Sequence, residues 1–235
     1  DAIYDWKPNM KMVLPTHAHL DHVGAIPYLA NTLKAPIMCT PFTSEVIKNM
    51  FTDDKVKSNV KLRPISSNSS FQITPTVKAE FIHVTHSTPQ TAMIALHTKE
   101  GIILYANDFK FDLFPTLGKK PNFKRIEELG KENVLALICD STYAQDARKM
   151  PSESVAKQML KEVMLGTDSK NKLVVATTFS SHIARLNSIV EYGEKMGRKI
   201  VFMGRSLAKY VNAAEAAGIT NLSSRVEIAK YAGQI

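Results

Sequence analysis

Cysteine is scarce in this chain, and long apolar runs are absent. Two cysteines, Cys39 and Cys139, stand far apart among 235 residues and outside any CxxC pair. Both lie in apolar segments, so we expect buried free thiols in a reducing compartment. The longest apolar run, residues 134–139, is far shorter than the roughly 18 residues of a membrane span. No basic and apolar leader opens the chain, which favours a cytoplasmic protein without membrane contact.

Acidic residues are also in short supply. The chain has 22 Asp and Glu against 30 Lys and Arg, a net charge of +8. Such an excess favours polyanionic partners such as nucleic acid. Hydrophobic residues make up 44% and charged residues 22%, which is close to an ordinary globular protein. This composition excludes a disordered chain, a collagen-like repeat and a coiled coil.

Hydrophobic periodicity predicts a mixed α/β protein. In the first part of the chain, apolar runs predict strands over residues 11–15, 36–39, 77–83, 93–98, 102–106 and 134–139. Helical spacing there predicts helices over residues 25–33, 41–51 and 122–130. The second part predicts helices over 152–165, 181–196 and 207–217 and strands over 173–177 and 199–203. Its alternation predicts two parallel strands joined by a helix.

The most informative segment is THAHLDH, residues 16–22, at a predicted strand-to-helix turn. His17 and His19 alternate, so an extended backbone points both imidazoles to one side. Asp21 and His22 follow and can serve a second metal ion. Imidazole and carboxylate groups suit zinc, and three of the seven histidines fall within this segment. The segment therefore predicts a zinc site.

Further ligands are expected from loops that follow two other strands. His86 ends one strand-like run, and Asp108 follows another. A carboxylate at the latter position can bridge two zinc ions. Asp112 is the competing carboxylate, four residues further on. His83 is three residues before His86, so we expect it to face the other way and to play a structural part.

One more histidine, His97, lies in a polar stretch and is expected on the solvated surface. Two loops of the second part are rich in hydroxyl and basic groups, and they follow the predicted parallel strands. Such loops form ligand crevices, and helix N-termini attract phosphate, although plain helix capping also explains Ser and Thr there. The candidate phosphodiester contacts are Ser180, Ser181, His182, Arg205 and Ser206, with Arg185 and Lys209 adding charge.

These segments together resemble a known family. THAHLDH matches the HxHxDH signature of the metallo-β-lactamase fold, which serves many kinds of hydrolase. The wider sequence is similar to RNase J of archaeal type, one of the β-CASP ribonucleases. The segments that carry this similarity are THAHLDHVGAIPYL, HSTPQTAMIALHTKEGIILYANDFKFD, LICDST, VATTFSSHIARL and FMGRSLAKY. The resemblance covers nearly the whole chain. It departs at Asn107, where the family usually has Gly, and at Ala18 and Leu207.

The resemblance implies a metallo-β-lactamase αββα sandwich with an inserted β-CASP α/β domain, both incomplete, as residues 1–148 and 149–235. RNA, in single-stranded form, would lie in the cleft between them. The implied activity is zinc-dependent hydrolysis of RNA phosphodiesters, by 5′→3′ exonuclease or endonuclease action or both. Asp140 would orient a zinc-bound or acid histidine, or else start a turn. Two zinc ions are implied, one held by His17, His19 and His86 and the other by Asp21, His22 and a bridging Asp108, with Asp21 and Asp140 as catalytic residues.

Two other functions stay open: a DNA-directed β-CASP nuclease and an RNA-binding protein with an incomplete catalytic site. The chain begins close to its first motif, and His182 is the only histidine after His97. The family's upstream Asp and its later histidines have no counterpart here. The resemblance therefore implies a chain truncated at both ends, homodimeric at full length, and nearly inactive on RNA by itself. The lack of a general acid typically costs about 10²–10⁴-fold in rate.

Overall fold

Helices and strands alternate along the chain, as the sequence predicts. The structure, a computed structural model, describes residues 2–229 and 233. Its helices are α1 (Ala2–Trp6), α2 (Leu20–Val23), α3 (Ile26–Leu33), α4 (Pro41–Asp53), α5 (Phe123–Leu129), α6 (Glu153–Gly166), α7 (Ile183–Lys195) and α8 (Arg205–Ala216). Its strands are β1 (Ile37–Cys39), β2 (Leu62–Pro64), β3 (Ser70–Thr74), β4 (Val77–His83), β5 (Ala92–His97), β6 (Ile102–Ala106), β7 (Val134–Cys139), β8 (Val201–Met203) and β9 (Glu227–Ala229). None of the described helices has the length and apolar character of a membrane span.

A five-stranded mixed sheet forms the centre of the first part. Its strand order is β3-β4-β5-β6-β7; the pairs from β3 to β6 are antiparallel, and β6 pairs with β7 in parallel. Successive side chains of a strand face opposite sides, so the neighbours Phe81 and Ile82 enter two different cores. Ile82 packs in the cluster that includes Leu129 of α5. Because β4 and β6 run in the same direction, their carboxyl ends lie at one edge of the sheet.

A short parallel pair, β1 with β2, lies beside the sequence that leads into THAHLDH. Val13 forms an isolated bridge to Ile37 of β1, and the backbone N–H of Ala92 donates to the carbonyl oxygen of Thr16 at 3.1 Å. The predicted strand over residues 11–15 is therefore reduced to one bridge. These two contacts attach the segment before the histidines to β1 and to β5, which fixes its position relative to the sheet.

The second part contains a parallel pair of strands, but its members differ from the predicted ones. β8 pairs with β9. Residues 173–177 form no strand, and Leu173 and Val175 are 88% and 76% exposed. The prediction of a strand there was wrong because an apolar run becomes a strand only when a neighbour satisfies its backbone groups. In the described part of the chain, the parallel neighbour of β8 is β9, whereas we expected residues 173–177 in that position.

The helices of this second part share a core with α4. Ile183, Leu186 and Val190 of α7 are buried together with Val211 of α8 and Phe42 of α4. The 3.6-residue spacing of the α7 side chains predicted this buried face. The shared core joins the second part to the helix that follows β1.

Two apolar surfaces of the described structure are exposed, although their composition is typical of buried elements. Val155, Met159 and Val163 of α6 are 47%, 62% and 65% exposed, although the helix begins where predicted. Most of β7 is also exposed, so the prediction that Cys139 is buried was wrong, whereas Cys39 is fully buried. A hydrophobic pattern identifies the apolar face of an element, but another element must pack on that face to bury it.

An ion-paired cluster links the start of α6 to α7. Glu153 is buried, and Arg185 donates to its carboxylate from Nε at 2.6 Å and from Nη2 at 2.9 Å. Nε2 of His182 lies 3.4 Å from the same carboxylate. Burial alone would raise the pKa of Glu153, but the hydrogen bonds from Arg185 and His182 outweigh it and lower that pKa to about 2. The Arg185 guanidinium is thus engaged within the fold.

Glu153→Gln should lower the free energy of unfolding by about 3 kcal/mol near neutral pH, because it leaves a partly buried guanidinium without its carboxylate. The pKa of Glu153 is lower in the folded state, so its stabilisation is complete above pH 4.5 and disappears as the pH falls towards 2. Urea unfolding of both proteins between pH 7 and pH 2 measures the difference. We expect it to shrink over this window, and exposed Glu128→Gln serves as the control. A difference independent of pH would contradict the assignment.

Candidate metal centre

The THAHLDH segment places its histidines through an extended stretch that turns into a short helix. His19 has φ −72° and ψ 146°, an extended conformation, and α2 begins at the next residue. His17 and His19 therefore lie on one side of extended backbone, whereas Asp21 and His22 belong to the first turn of α2. This is the arrangement that the alternation in the sequence predicted.

Two loops at the adjacent edge of the sheet bring further side chains to the same place. His86 follows β4 and Asp108 follows β6. The two loops are themselves joined, since Thr85 and Lys110 form an isolated antiparallel bridge. The loops at the carboxyl ends of β4 and β6 thus place the imidazole of His86 and the carboxylate of Asp108 next to the THAHLDH segment.

Side chains with metal-binding atoms form two groups at this point, and the groups share Asp108. Within each group the candidate ligand atoms lie within 4.8 Å of one another. Oδ2 of Asp108 is 3.7 Å from Nε2 of His17 and 3.6 Å from Nε2 of both His22 and His86. The first group consists of His17, His19, His86 and Asp108, and the second of Asp21, His22 and Asp108.

The nitrogen and oxygen atoms of this cluster are arranged as metal ligands rather than as hydrogen-bond partners of one another. His17 is fully buried, and its Nε2 has no hydrogen-bond partner within the described structure. Nδ1 of His19 and Nε2 of His86 lie 3.1 Å apart. A buried polar atom without a hydrogen-bond partner lowers the stability of the fold. A metal ion bound between these facing ligand atoms would remove that cost. Imidazole and carboxylate donors suit zinc and related divalent metals.

The electrostatics of the cluster favour the neutral form of the three histidines in the first group. Burial, and next the repulsion between neighbouring imidazoles, lowers the pKa of His17 to about 2. The same two causes lower the pKa of His86 to about 4, and burial also lowers the pKa of His19. A neutral imidazole offers a lone pair, which is the form that binds a metal ion.

The other histidines and the competing carboxylate lie elsewhere. Asp112 is buried, and its carboxylate accepts from the backbone N–H of Glu153 at 2.7 Å and stabilises the start of α6. Nε2 of His83 is 3.0 Å from the carbonyl oxygen of Lys119, a structural contact. The prediction that His97 lies on the solvated surface was wrong, because its Nε2 is 2.8 Å from a Glu80 carboxylate oxygen. The strand register that places Glu80 opposite Ala95 was not visible in the sequence.

Asp140 lies at the end of β7, close to the loop that carries Asp108. Its backbone N–H donates to the carbonyl oxygen of Ala106 at 3.2 Å. Its exposed carboxylate accepts from the hydroxyl and the backbone N–H of Thr142, which lower the pKa of Asp140. These contacts are those of a residue that starts a turn. The structure places Asp140 beside the cluster and outside both ligand groups.

The candidate phosphate contacts separate into two places. Oγ of Ser181 is 3.3 Å from Nε2 of His19, so Ser181 adjoins the cluster. His182 accepts from the backbone N–H of Arg185 and lies against Glu153, while Ser180 is half-buried nearby.

Arg205 and Ser206 are exposed at the start of α8, next to Gly204 with φ 128°. Within the described part of the chain, the Arg205 guanidinium forms no ion pair. Ser206 lines a cleft together with Leu20 and Tyr210, so this surface opens beside α2. Lys209, which also lines the cleft, is paired with Asp53.

Three polar residues around the cluster were missed at the level of sequence. Oγ of Ser87 is 3.1 Å from Nε2 of His19. Oγ1 of Thr16 is 3.0 Å from Nδ1 of His17, and the side-chain amide of Asn107 lies between Thr16 and His22. Each of the three directly adjoins a candidate ligand in the sequence, which is a signal that could have identified them.

Comparisons with known families divide the chain into two matched regions. Residues 5–166 match the family described as Beta-lactamase superfamily domain. Residues 170–232 match the family described as Ribonuclease J, beta-CASP domain. The first match covers more than half of the chain, and the two follow each other along it.

Curated relatives carry the name Ribonuclease J. That of Methanocaldococcus jannaschii is 39% identical over 221 residues, 93% of this chain and 49% of the relative. That of Pyrococcus abyssi is 40% identical over 232 residues, 96% of this chain and 51% of the relative. That of Sinorhizobium meliloti is 31% identical over 211 residues, 90% of this chain and 37% of the relative. The chain thus spans about half the length of the two archaeal relatives.

A solved structure shares the fold. It is a protein of unknown function from Enterococcus faecalis V583, with a TM-score of 0.61 at 16% identity, and the match covers 94% of this chain and 51% of that chain. At that identity the likeness shows the fold alone. Together with the family matches it confirms the expected architecture of a lactamase-type domain and a β-CASP domain. The chain belongs to the β-lactamase superfamily, and residues 170–232, which follow the matched lactamase-type region, are similar to the β-CASP domain of ribonuclease J.

Proposed function

We propose that this protein is a zinc-dependent ribonuclease that hydrolyses RNA phosphodiesters. The observation that carries the proposal is the pair of ligand groups that share Asp108, in a chain similar to proteins named Ribonuclease J. The 5′→3′ exonuclease and endonuclease modes both remain part of the proposal, as do a cytoplasmic location and a homodimer at full length. The division into domains at residues 148 and 149 also stays a prediction.

The two ligand groups have separate parts in this proposal. The three histidines of the first group would hold one zinc ion, Asp21 and His22 would hold another, and Asp108 belongs to both groups. When bound there, zinc would supply Lewis-acid activation of a water molecule and stabilisation of negative charge on the phosphoryl group. The carboxylates of Asp21 and Asp108 would balance part of the charge of the bound ions.

The second part of the chain supplies the polymer-binding surface of this proposal. A net charge of +8 favours a polyanion. Ser181 touches His19, so a phosphate bound by Ser180 and Ser181 would lie beside the metal centre. Arg205 and Ser206 would contact a phosphate further along a single strand. His182 is expected to position α7 rather than to reach the strand, because it is held against Glu153.

Cleavage of matched 5′-monophosphorylated RNA and DNA strands tests the proposal. We expect zinc-dependent cleavage of the RNA, little cleavage of the DNA, and loss of activity in Asp21→Ala. The rate should be low, since the second ligand group has only three members among the described residues. Equal cleavage of DNA would favour the DNA-directed nuclease. Zinc and RNA binding without any cleavage would favour an RNA-binding protein with an incomplete catalytic site.

Arg205→Ala should weaken binding to a single-stranded RNA. It should also reduce the magnitude of the slope of log affinity against log salt concentration by about one, because the loss of one phosphate contact means that one counterion fewer is released on binding. The matched control is Arg225→Ala, which removes the same charge from a guanidinium paired with Glu194 at 2.6 Å. Binding isotherms at several salt concentrations give both slopes. An unaltered slope in Arg205→Ala would make Arg205 a structural residue.

A further inference from the structure

A row of polar side chains connects one histidine of each ligand group. Asn107 follows β6 and directly precedes Asp108. The nitrogen of its side-chain amide is 2.8 Å from Nδ1 of His22 and 3.2 Å from Oγ1 of Thr16. Oγ1 of Thr16 is in turn 3.0 Å from Nδ1 of His17. The row therefore runs from His22 through Asn107 and Thr16 to His17.

Both histidines face the candidate metal positions with Nε2. That atom of His17 is 3.7 Å from Oδ2 of Asp108, and the same atom of His22 is 3.6 Å from it. A neutral imidazole that offers the Nε2 lone pair must carry its proton on Nδ1. The groups that contact Nδ1 in the two rings therefore decide whether Nε2 is free to bind.

The orientation of one amide determines the tautomer of His22, and with its oxygen inward it also fixes the tautomer of His17. Amide oxygen and nitrogen exchange places by a half-turn about the terminal side-chain bond, and their assignment follows from the hydrogen bonds they make. With the oxygen inward, Asn107 accepts from Nδ1–H of His22 and from the hydroxyl of Thr16, and that hydroxyl accepts from Nδ1–H of His17. With the nitrogen inward, Asn107 donates to Nδ1 of His22, whose proton then lies on Nε2, and the Thr16 hydroxyl is free to donate to Nδ1 of His17, so neither ring is held in the form that binds through Nε2.

We propose that Asn107 is a positioning residue that turns its amide oxygen inward and so prepares His17 and His22 together for metal binding. The inference rests on the proposed metal centre. It concerns a position where this chain departs from the Gly usual in the family that it resembles, and a Gly has no side chain to make these contacts. Hydrogen bonds to the second nitrogen of a ligating histidine orient the ring, and their loss typically lowers metal affinity about 10–100-fold.

Zinc affinity, measured by competition with a chromophoric chelator, tests this inference without any activity assay. Asn107→Ala should bind zinc about 10–100-fold more weakly than the wild type. Asn107→Asp keeps an acceptor oxygen and should bind zinc at least as tightly as the wild type. Asn133→Ala is the control, because the Asn133 amide donates to the carbonyl oxygen of Glu100 at the opposite end of β6.

Nitrogen-15 NMR of the histidine rings in the metal-free protein gives a second measurement. We expect Nδ1–H tautomers of His17 and His22 in the wild type and in Asn107→Asp, and mixed tautomers in Asn107→Ala. Nε2–H tautomers in the wild type, or an Asn107→Ala affinity within twofold of the wild type, would overturn the inference. A wild type that binds no zinc at all would instead overturn the proposed metal centre.

Discussion

Asp108→Ala is expected to release the zinc ion of the second ligand group and to weaken binding of the ion in the first, which makes it the single substitution with the largest expected effect. Asp108 is the only residue that belongs to both ligand groups of the described structure, so its loss leaves three histidines in one group and two residues in the other. It also removes the carboxylate that lies within 3.7 Å of three imidazole nitrogens. Zinc per chain, measured by elemental analysis after gel filtration, should fall from two to one or fewer.

Asp146→Ala is the matched control for this experiment. The Asp146 carboxylate pairs with Arg148 at 2.6 Å in the loop after β7, and it belongs to neither ligand group. Both substitutions remove one carboxylate, so a general effect of net charge on zinc uptake would appear in both. Two zinc ions retained by Asp108→Ala would show that Asp108 does not bridge.

His86→Ala should release the zinc ion of the first group while the ion of the second group remains. The imidazole of His86 lies between His19 and Asp108, at 3.1 Å and 3.6 Å, and no other described side chain replaces it there. His97→Ala should leave the zinc content unchanged, since His97 pairs with Glu80 at the opposite end of β5 from Ala92. Elemental analysis that finds equal zinc in the two variants would remove His86 from the site.

Much of the first part could be predicted from the sequence, because its local signals agree with its packing. The strands β4, β6 and β7 have the predicted bounds, since β6 and β7 are apolar runs, β4 largely alternates apolar and polar residues, and turn residues flank all three. The gathering of His86 and Asp108 with THAHLDH could also be predicted. Both residues follow strands, and strand ends at one edge of a sheet meet.

Burial and side-chain pairing could not be predicted in the same way. The apolar run at residues 173–177 and the apolar face of α6 have the composition of buried segments, yet both are exposed. Whether an apolar surface is covered depends on elements distant in the sequence. The pairing of His97 with Glu80 and the contact of Asn107 with Thr16 likewise join residues 17 and 91 positions apart. Such contacts follow from strand register and loop course, which local patterns do not specify.

Anomalous diffraction at the zinc edge from zinc-loaded crystals tests the central claim most directly, because it locates each ion without reference to activity. We expect two peaks about 3.5–4 Å apart. One should lie among His17, His19 and His86 and the other beside Asp21 and His22, with Asp108 touching both. The second peak should be the weaker, since its group has three members against four in the described structure. A single peak away from Asp108, or no peak at the histidine cluster, would contradict the two-zinc centre.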